Sequence, residues 1–242
     1  MPALDPSAAA SGALQPDLQA VFWDMDGTLV DTEPYWIAAE SELVASFGGV
    51  WSAELGLELV GNALETSAAV LQRAGVDLSI RDIIDRLIDA VTEQVRQSIP
   101  WRPGARELLA ELREAGIPTV LVTMSETKLA TEVVRALPEG SFPYLVTGDM
   151  VSHGKPHPEP YQRAFDWLSE RLPGADKRCV VALEDSVPGV ASAEAAGLVT
   201  VAIPHVVPVP PSPGRPQWDS LAGKGVTDVE RLLVPASQEA GV

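Results

Sequence analysis

A single cysteine, Cys179, stands in the 242-residue chain, so neither an intramolecular disulfide nor a CxxC metal site can form. Histidine is nearly as scarce: His153, His157 and His205 are scattered, without the ligand spacing of a structural zinc site. Positive charge is short as well. Only 17 Lys and Arg face 34 Asp and Glu, for a formal net charge of −17. That balance argues against non-specific binding to nucleic acid or to an anionic membrane, both of which need a basic face. An anionic substrate would need local positive groups against the same field. No apolar run reaches bilayer-spanning length, and residues 1–16 lack the basic start and apolar centre of a secretory signal. The expectation is a soluble, cytoplasmic protein, a monomer or weak dimer, with a flexible tail at 1–16.

Apolar residues, by contrast, make up 46% of the chain, enough for a sizeable core. One stretch concentrates the chemistry: Val21-Phe22-Trp23-Asp24-Met25-Asp26-Gly27-Thr28-Leu29-Val30-Asp31-Thr32. A run of strand formers ends in two aspartates one residue apart. Carboxylates at the end of a buried strand are unfavourable unless a cation shares the site, and a metal ion is the natural candidate.

Downstream, Trp36, Ala39, Leu43 and Phe47 recur at helical spacing before Gly48-Gly49. A second helix is expected over 52–60 and a third around Leu64, Ala68 and Leu71. A fourth opens at Ser79, with Asp82 three residues on, and buries Ile80, Ile83, Ile84, Leu87, Val91 and Val95. Residues 35–100 are thus wholly helical in pattern, an insert in an α/β rhythm that resumes after Pro103. Apolar runs at 117–123, 144–147, 179–183 and 198–203 alternate with helical patterns, one of which places Tyr161, Ala164, Phe165, Leu168 and Leu172 on one face. Strands of this kind imply a parallel sheet covered on both sides. The fold class is therefore α/β, a Rossmann-like doubly wound sheet at 17–34 and 101–242 with a helical cap at 35–100. Six prolines in 204–216 suit an extended surface connection better than a PxxP docking site, and a short helix is expected over 228–234.

Polar sites in such sheets gather beyond the carboxyl ends of the strands. The strand ends carry Asp24 and Asp26, Thr123 and Ser125, and Glu184-Asp185, with Lys155 in an intervening loop. Each has an ordinary reading alone: Asp26-Gly27 as a turn, Lys155 as a solvated charge, Asp185-Ser186 as a helix cap. Together, several carboxylates, a lysine and hydroxyls describe a magnesium and phosphate site.

With those residues in place, the chain resembles the haloacid dehalogenase superfamily, in the helical-cap branch that includes β-phosphoglucomutase and phosphoglycolate phosphatase-like enzymes. DMDGTLVDTEP, Thr123, Lys155 in GKPHPEPY and Glu184-Asp185 in LEDSVPGV match its four motifs in order. The resemblance implies Asp24 as nucleophile and Asp26 as general acid and base. It implies Mg²⁺ held by Asp24, the backbone carbonyl of Asp26 and Asp185, with Glu184 acting directly or through water. Thr123, Met124 and Lys155 fall at the phosphate-binding positions, Met124 where many relatives have asparagine. The acid at Asp26 disfavours dehalogenation. The mutase pattern has basic residues in the cap where this chain has Val60 and Leu64, and a histidine where it has Trp36, which is read mainly as cap core. The cap carries ten acidic and four basic residues over 35–100, and Gly61-Asn62 marks the expected specificity loop. The resemblance implies a magnesium-dependent phosphatase of a small phosphorylated metabolite, with a phosphomutase and a non-catalytic binding protein as alternatives.

Overall fold

The computed structural model describes residues 17–57, 59 and 63–233. The expected tail at 1–16, Val60 and the loop pair Gly61-Asn62 lie outside the described residues. Five parallel strands form one sheet: β1 (Ala20–Trp23), β2 (Thr119–Val122), β3 (Tyr144–Val146), β4 (Val180–Glu184) and β5 (Val199–Ala202). Their order is β3-β2-β1-β4-β5, with Trp23 in register with Leu121 and Leu183. The three inner strands are buried throughout, which is why they are unbroken apolar runs. Alternation decides the face instead. Val21, Trp23, Leu121, Val181 and Leu183 enter one core, and Ala20, Phe22, Val120, Val122, Val180 and Ala182 enter the other.

Helices α5 (Ala105–Glu114) and α6 (Thr127–Arg135) fill the first core through Leu108, Leu112, Leu129 and Val133; α7 (Glu159–Arg171) and α8 (Val187–Ala195) fill the second through Tyr161, Ala164, Leu168 and Ala193. Each fully buried leucine contributes about 1.5–3 kcal/mol, so neither layer can detach cheaply. Two residues expected on the α7 stripe fall short of it. Phe165 is half-buried, and Leu172 is exposed because it lies past the last helical residue with extended-side backbone angles.

Between β1 and α5 the chain forms α1 (Glu33–Ser46), α2 (Ala53–Leu57), α3 (Leu64–Arg73) and α4 (Ile80–Gln97). Helix α4 packs on α1, α3 and α6. Ser79 starts it: its hydroxyl oxygen accepts the Asp82 N–H, a cap worth about 1 kcal/mol. Ile83, Ile84, Leu87, Val91 and Val95 are buried, whereas Ile80, at the first turn, is exposed. Phe47 is exposed too, since it terminates α1 rather than continuing its buried face.

After β5 the proline-rich 204–216 segment has no regular structure, then returns to the sheet. Pro216 O accepts the Ala202 N–H, and the Trp218 N–H donates back to Ala202 O, covering the outer edge of β5. Helix α9 (Val226–Arg231) follows, slightly earlier than expected. Among the described residues, no helix is long and apolar enough to cross a membrane. Strand order reverses at β1, with β2 and β3 to one side and β4 and β5 to the other. The loops leaving β1 and β4 therefore part and open a crevice beyond their carboxyl ends.

Candidate active site

Asp24 follows β1 directly, and its N–H donates to Leu183 O at 3.0 Å, which sets it beside the end of β4. The chain then folds into a tight turn in which the N–H groups of Leu29 and Val30 both reach Met25 O. Gly27 sits in that turn at φ +94°, and a Cβ there would lie 1.9 Å from Asp185 Oδ2. Glycine is needed for both conformation and space. Gly189, in the first turn of α8, has a parallel role: a Cβ there would lie 1.9 Å from Glu184 Oε2.

Lys155 joins these strand ends. Its Nζ lies 2.7 Å from Asp24 Oδ1 and 2.6 Å from Glu184 Oε1, and it donates to Val122 O at 2.9 Å. Tyr161 Oη donates to the same Glu184 oxygen at 2.6 Å. Asp24, Glu184 and Asp185 are all buried and offer carboxylate oxygens within 4.8 Å of one another. Burial drives the Asp24 carboxyl up to about 8, with Lys155 opposing and Glu184 and Asp26 reinforcing the rise. Asp185 is raised for the same first reason, with Asp24 and Glu184 adding to it. Burial acts against the charge on Lys155, but Asp24 and Glu184 reverse the effect and hold its pKa above the ordinary lysine value.

With all three ionised, three carboxylates against one ammonium would leave two uncompensated negative charges in a desolvated site, which is why burial favours the protonated forms of Asp24 and Asp185 when no cation is bound. Asp24 Oδ2 and Glu184 Oε2 also lack a hydrogen-bond partner among the described residues. An all-oxygen donor set with that charge deficit fits a hard divalent cation, Mg²⁺ above all. Asp24, Glu184 and Asp185 are the residues that would hold it. The Asp26 carboxylate lies outside that group. Glu184, expected to act directly or through water, is fully buried among them.

Asp26 is oriented by hydroxyls. Its Oδ1 accepts from the Thr32 hydroxyl and, at 3.5 Å, from the Trp36 indole. Its Oδ2 accepts from Ser125 at 2.8 Å and Thr123 at 3.1 Å. Thr123, expected on phosphoryl oxygens, thus spends its proton on Asp26, while its own oxygen accepts the Ser125 N–H at 3.0 Å. The Met124 side chain turns to the lysine loop. Its sulfur accepts the Lys155 N–H at 3.2 Å and lies against Gly154, so it braces the lysine loop.

The crevice above these groups contains about 770 Å³ of non-protein space, part of it open to solvent. Its insert side is lined by Glu33, Trp36, Glu40, Leu59 and Ser67. Trp36 therefore belongs to the site as well as to the insert core. His153 and His157, which lack structural-zinc spacing in the sequence, meet Glu159 closely enough to suggest a metal site. Those atoms are already engaged: the Glu159 carboxylate accepts from the Ser152 and His153 N–H groups, and His157 Nδ1 accepts the Glu159 N–H. The group fastens the Lys155 loop to α7. His205 pairs with Asp31 at 2.9 Å.

The model of the haloacid dehalogenase-like hydrolases matches residues 18–197, and the chain belongs to that family. It is an enzyme of the hydrolase class. A phosphorylated carbohydrates phosphatase of Thermotoga maritima is 32% identical over 186 residues, covering 75% of this chain and 82% of that one. Hexitol phosphatase B of Escherichia coli is 30% identical over 210 residues, covering 82% and 87%. The crystal structure of CbbY from Rhodobacter sphaeroides in complex with phosphate is similar at a TM-score of 0.77 and 28% identity, over 87% of this chain and 98% of that one.

Proposed function

We propose that this protein is a magnesium-dependent phosphatase that hydrolyses the monoester of a small phosphorylated carbohydrate or related metabolite through an aspartyl phosphate on Asp24. The observation that carries the reading is Lys155, buried between Asp24 and Glu184 in a crevice shared with Asp26. In this reading 35–100 is the cap over a core at 17–34 and 101–242.

Lys155 anchors Asp24 Oδ1 and leaves Oδ2 unpartnered, so the carboxylate is oriented yet retains an oxygen for attack on phosphorus. A bond forms from Asp24 to phosphorus, the ester P–O bond breaks, and Asp26 gives a proton to the departing oxygen. In the second half Asp26 takes a proton from water, whose oxygen displaces Asp24 and releases phosphate. Positioned proton transfer of this kind is worth roughly 10²–10⁴-fold. Lys155 supplies positive charge where the transferring group is most anionic. Magnesium, when bound, neutralises the carboxylate cluster and polarises the phosphoryl oxygens.

A phosphomutase must also hold a second phosphate. Among the described residues Lys155 is the only basic side chain lining the crevice, and Glu58 and Val60-Gly61-Asn62 add none. Water is the better-supported acceptor. Steady-state assays of the purified protein with Mg²⁺ against a panel of phosphorylated carbohydrates test the reading. Release of phosphate, lost in Asp24→Asn with the fold retained, is the expected result. No hydrolysis of any monoester, or full activity in Asp24→Asn, would overturn it.

A further inference from the structure

Helix α1 presents Glu33, Trp36, Ile37 and Glu40 to the crevice, at steps of three, four and seven residues that put them on one face. Trp36 leads the stripe down to Asp26. At its far end stands Glu40, 5% exposed, with Oε2 lacking any hydrogen-bond partner among the described residues. The Trp51 indole is near enough to oppose the rise in its pKa, yet Trp51 Nε1 is itself without a hydrogen-bond partner. Burial nonetheless pushes the Glu40 carboxyl up to about 7.

An unsatisfied buried carboxylate destabilises a fold by a margin that packing does not require. Such groups persist where function uses them. Gly56 also lines the crevice, and a Cβ there would lie 3.3 Å from Glu40 Oε2 and 3.2 Å from Ile37. The missing side chain leaves room beside the carboxylate of a residue that itself lines the crevice where the non-phosphate part of a substrate would sit.

We infer that Glu40 is a specificity-determining residue that accepts hydrogen bonds from substrate hydroxyls, selecting polyhydroxylated monophosphates over equally sized monoesters without hydroxyls. The inference rests on the phosphatase reading. A carboxylate is acceptor-only when ionised and can serve two hydroxyls at once, and hydrogen bonds to a charged acceptor are the stronger kind. A site built for a hydroxyl discriminates sharply against analogues lacking it, because its own polar group is then left unpaired.

The test compares wild type, Glu40→Gln and Glu40→Leu on sorbitol 6-phosphate, glucose 6-phosphate and p-nitrophenyl phosphate, with thermal melts of each protein. The expected result is a fall in kcat/KM for Glu40→Leu on the hydroxylated substrates that exceeds the fall on the aryl phosphate at least about 10-fold. Most of the loss should appear in KM, Glu40→Gln should be intermediate, and Tm should be equal or higher in both variants. Parallel losses on all three substrates, or no loss on any, would overturn it. Wild type that cleaves the aryl ester but neither hydroxylated one would also overturn it, while leaving the phosphatase reading intact. Failure to cleave any monoester would remove the phosphatase reading and the inference together.

Discussion

Lys155 balances charge within the candidate site, and its removal separates two effects. Lys155→Met leaves Asp24 and Glu184 buried without their shared ammonium, the situation in which breaking a buried pair costs about 3–5 kcal/mol. Denaturant unfolding should show that loss without Mg²⁺ and a smaller one with it, while turnover disappears in both conditions. Gly189→Ala probes the support behind Glu184: the new Cβ meets the carboxylate, for an expected destabilisation of about 1–3 kcal/mol and weaker Mg²⁺ binding by calorimetry. At this scale Asp24, Lys155 and Asp185 were legible in the sequence, because motif order and strand ends locate them without any knowledge of side-chain rotamers. Gly189 was not. A glycine one turn into a helix reads as a weak helix former, and only the position of Glu184 shows that a Cβ has no room. Thr123 was legible as a site residue, but its hydrogen bond to Asp26 depends on where one hydroxyl proton points.

Helix α4 is tied to α6 and its N-terminal cap by three ion pairs: Arg81 with Glu126 at 2.5 Å, Arg96 with Glu132 at 2.9 Å, and Lys128 with Asp89. All three lie at the surface, where each is worth about 0.2–1 kcal/mol and salt screens it. They connect the insert to the sheet layer, which makes them the place to test whether the insert moves on it. Solution scattering of an Arg81→Ala, Arg96→Ala double variant should give a larger radius of gyration than wild type without ligand, with the difference lost on adding orthovanadate. Identical curves for the two free proteins would remove these pairs from any part in closure. The α4 stripe was readable because its apolar period is unbroken over five turns. The functional face of α1 was harder to see, because Trp36, Ala39 and Leu43 supply a competing apolar stripe on the same short helix. The signal that would have revealed it is Glu33, Trp36 and Glu40 at helical spacing, two acids bracketing a tryptophan.

For the molecule as a whole, the buried acids set the sign of the pH dependence. Burial raises Glu33 to about 8 and Glu40 to about 7, with Asp26 and Glu40 adding to the rise at Glu33, and Asp24 and Asp185 shift the same way. Between the ordinary carboxylate range and those values the folded protein holds protons that the unfolded chain has released, so stability falls as pH rises. Urea unfolding in chelator should therefore show declining stability from pH 5 to pH 8, and Glu40→Gln should flatten that slope; a slope of the opposite sign would contradict the assignment. The oxidation chemistry of the protein depends on another detail of the same crevice. Cys179 is buried away from it, whereas half-buried Met124 lines it and its sulfur accepts the Lys155 N–H. Conversion to the sulfoxide would place a polar, bulkier group against Gly154 and the Lys155 backbone. Peroxide should slow turnover, a methionine sulfoxide reductase should restore it, and Met124→Leu should make the enzyme indifferent to the oxidant.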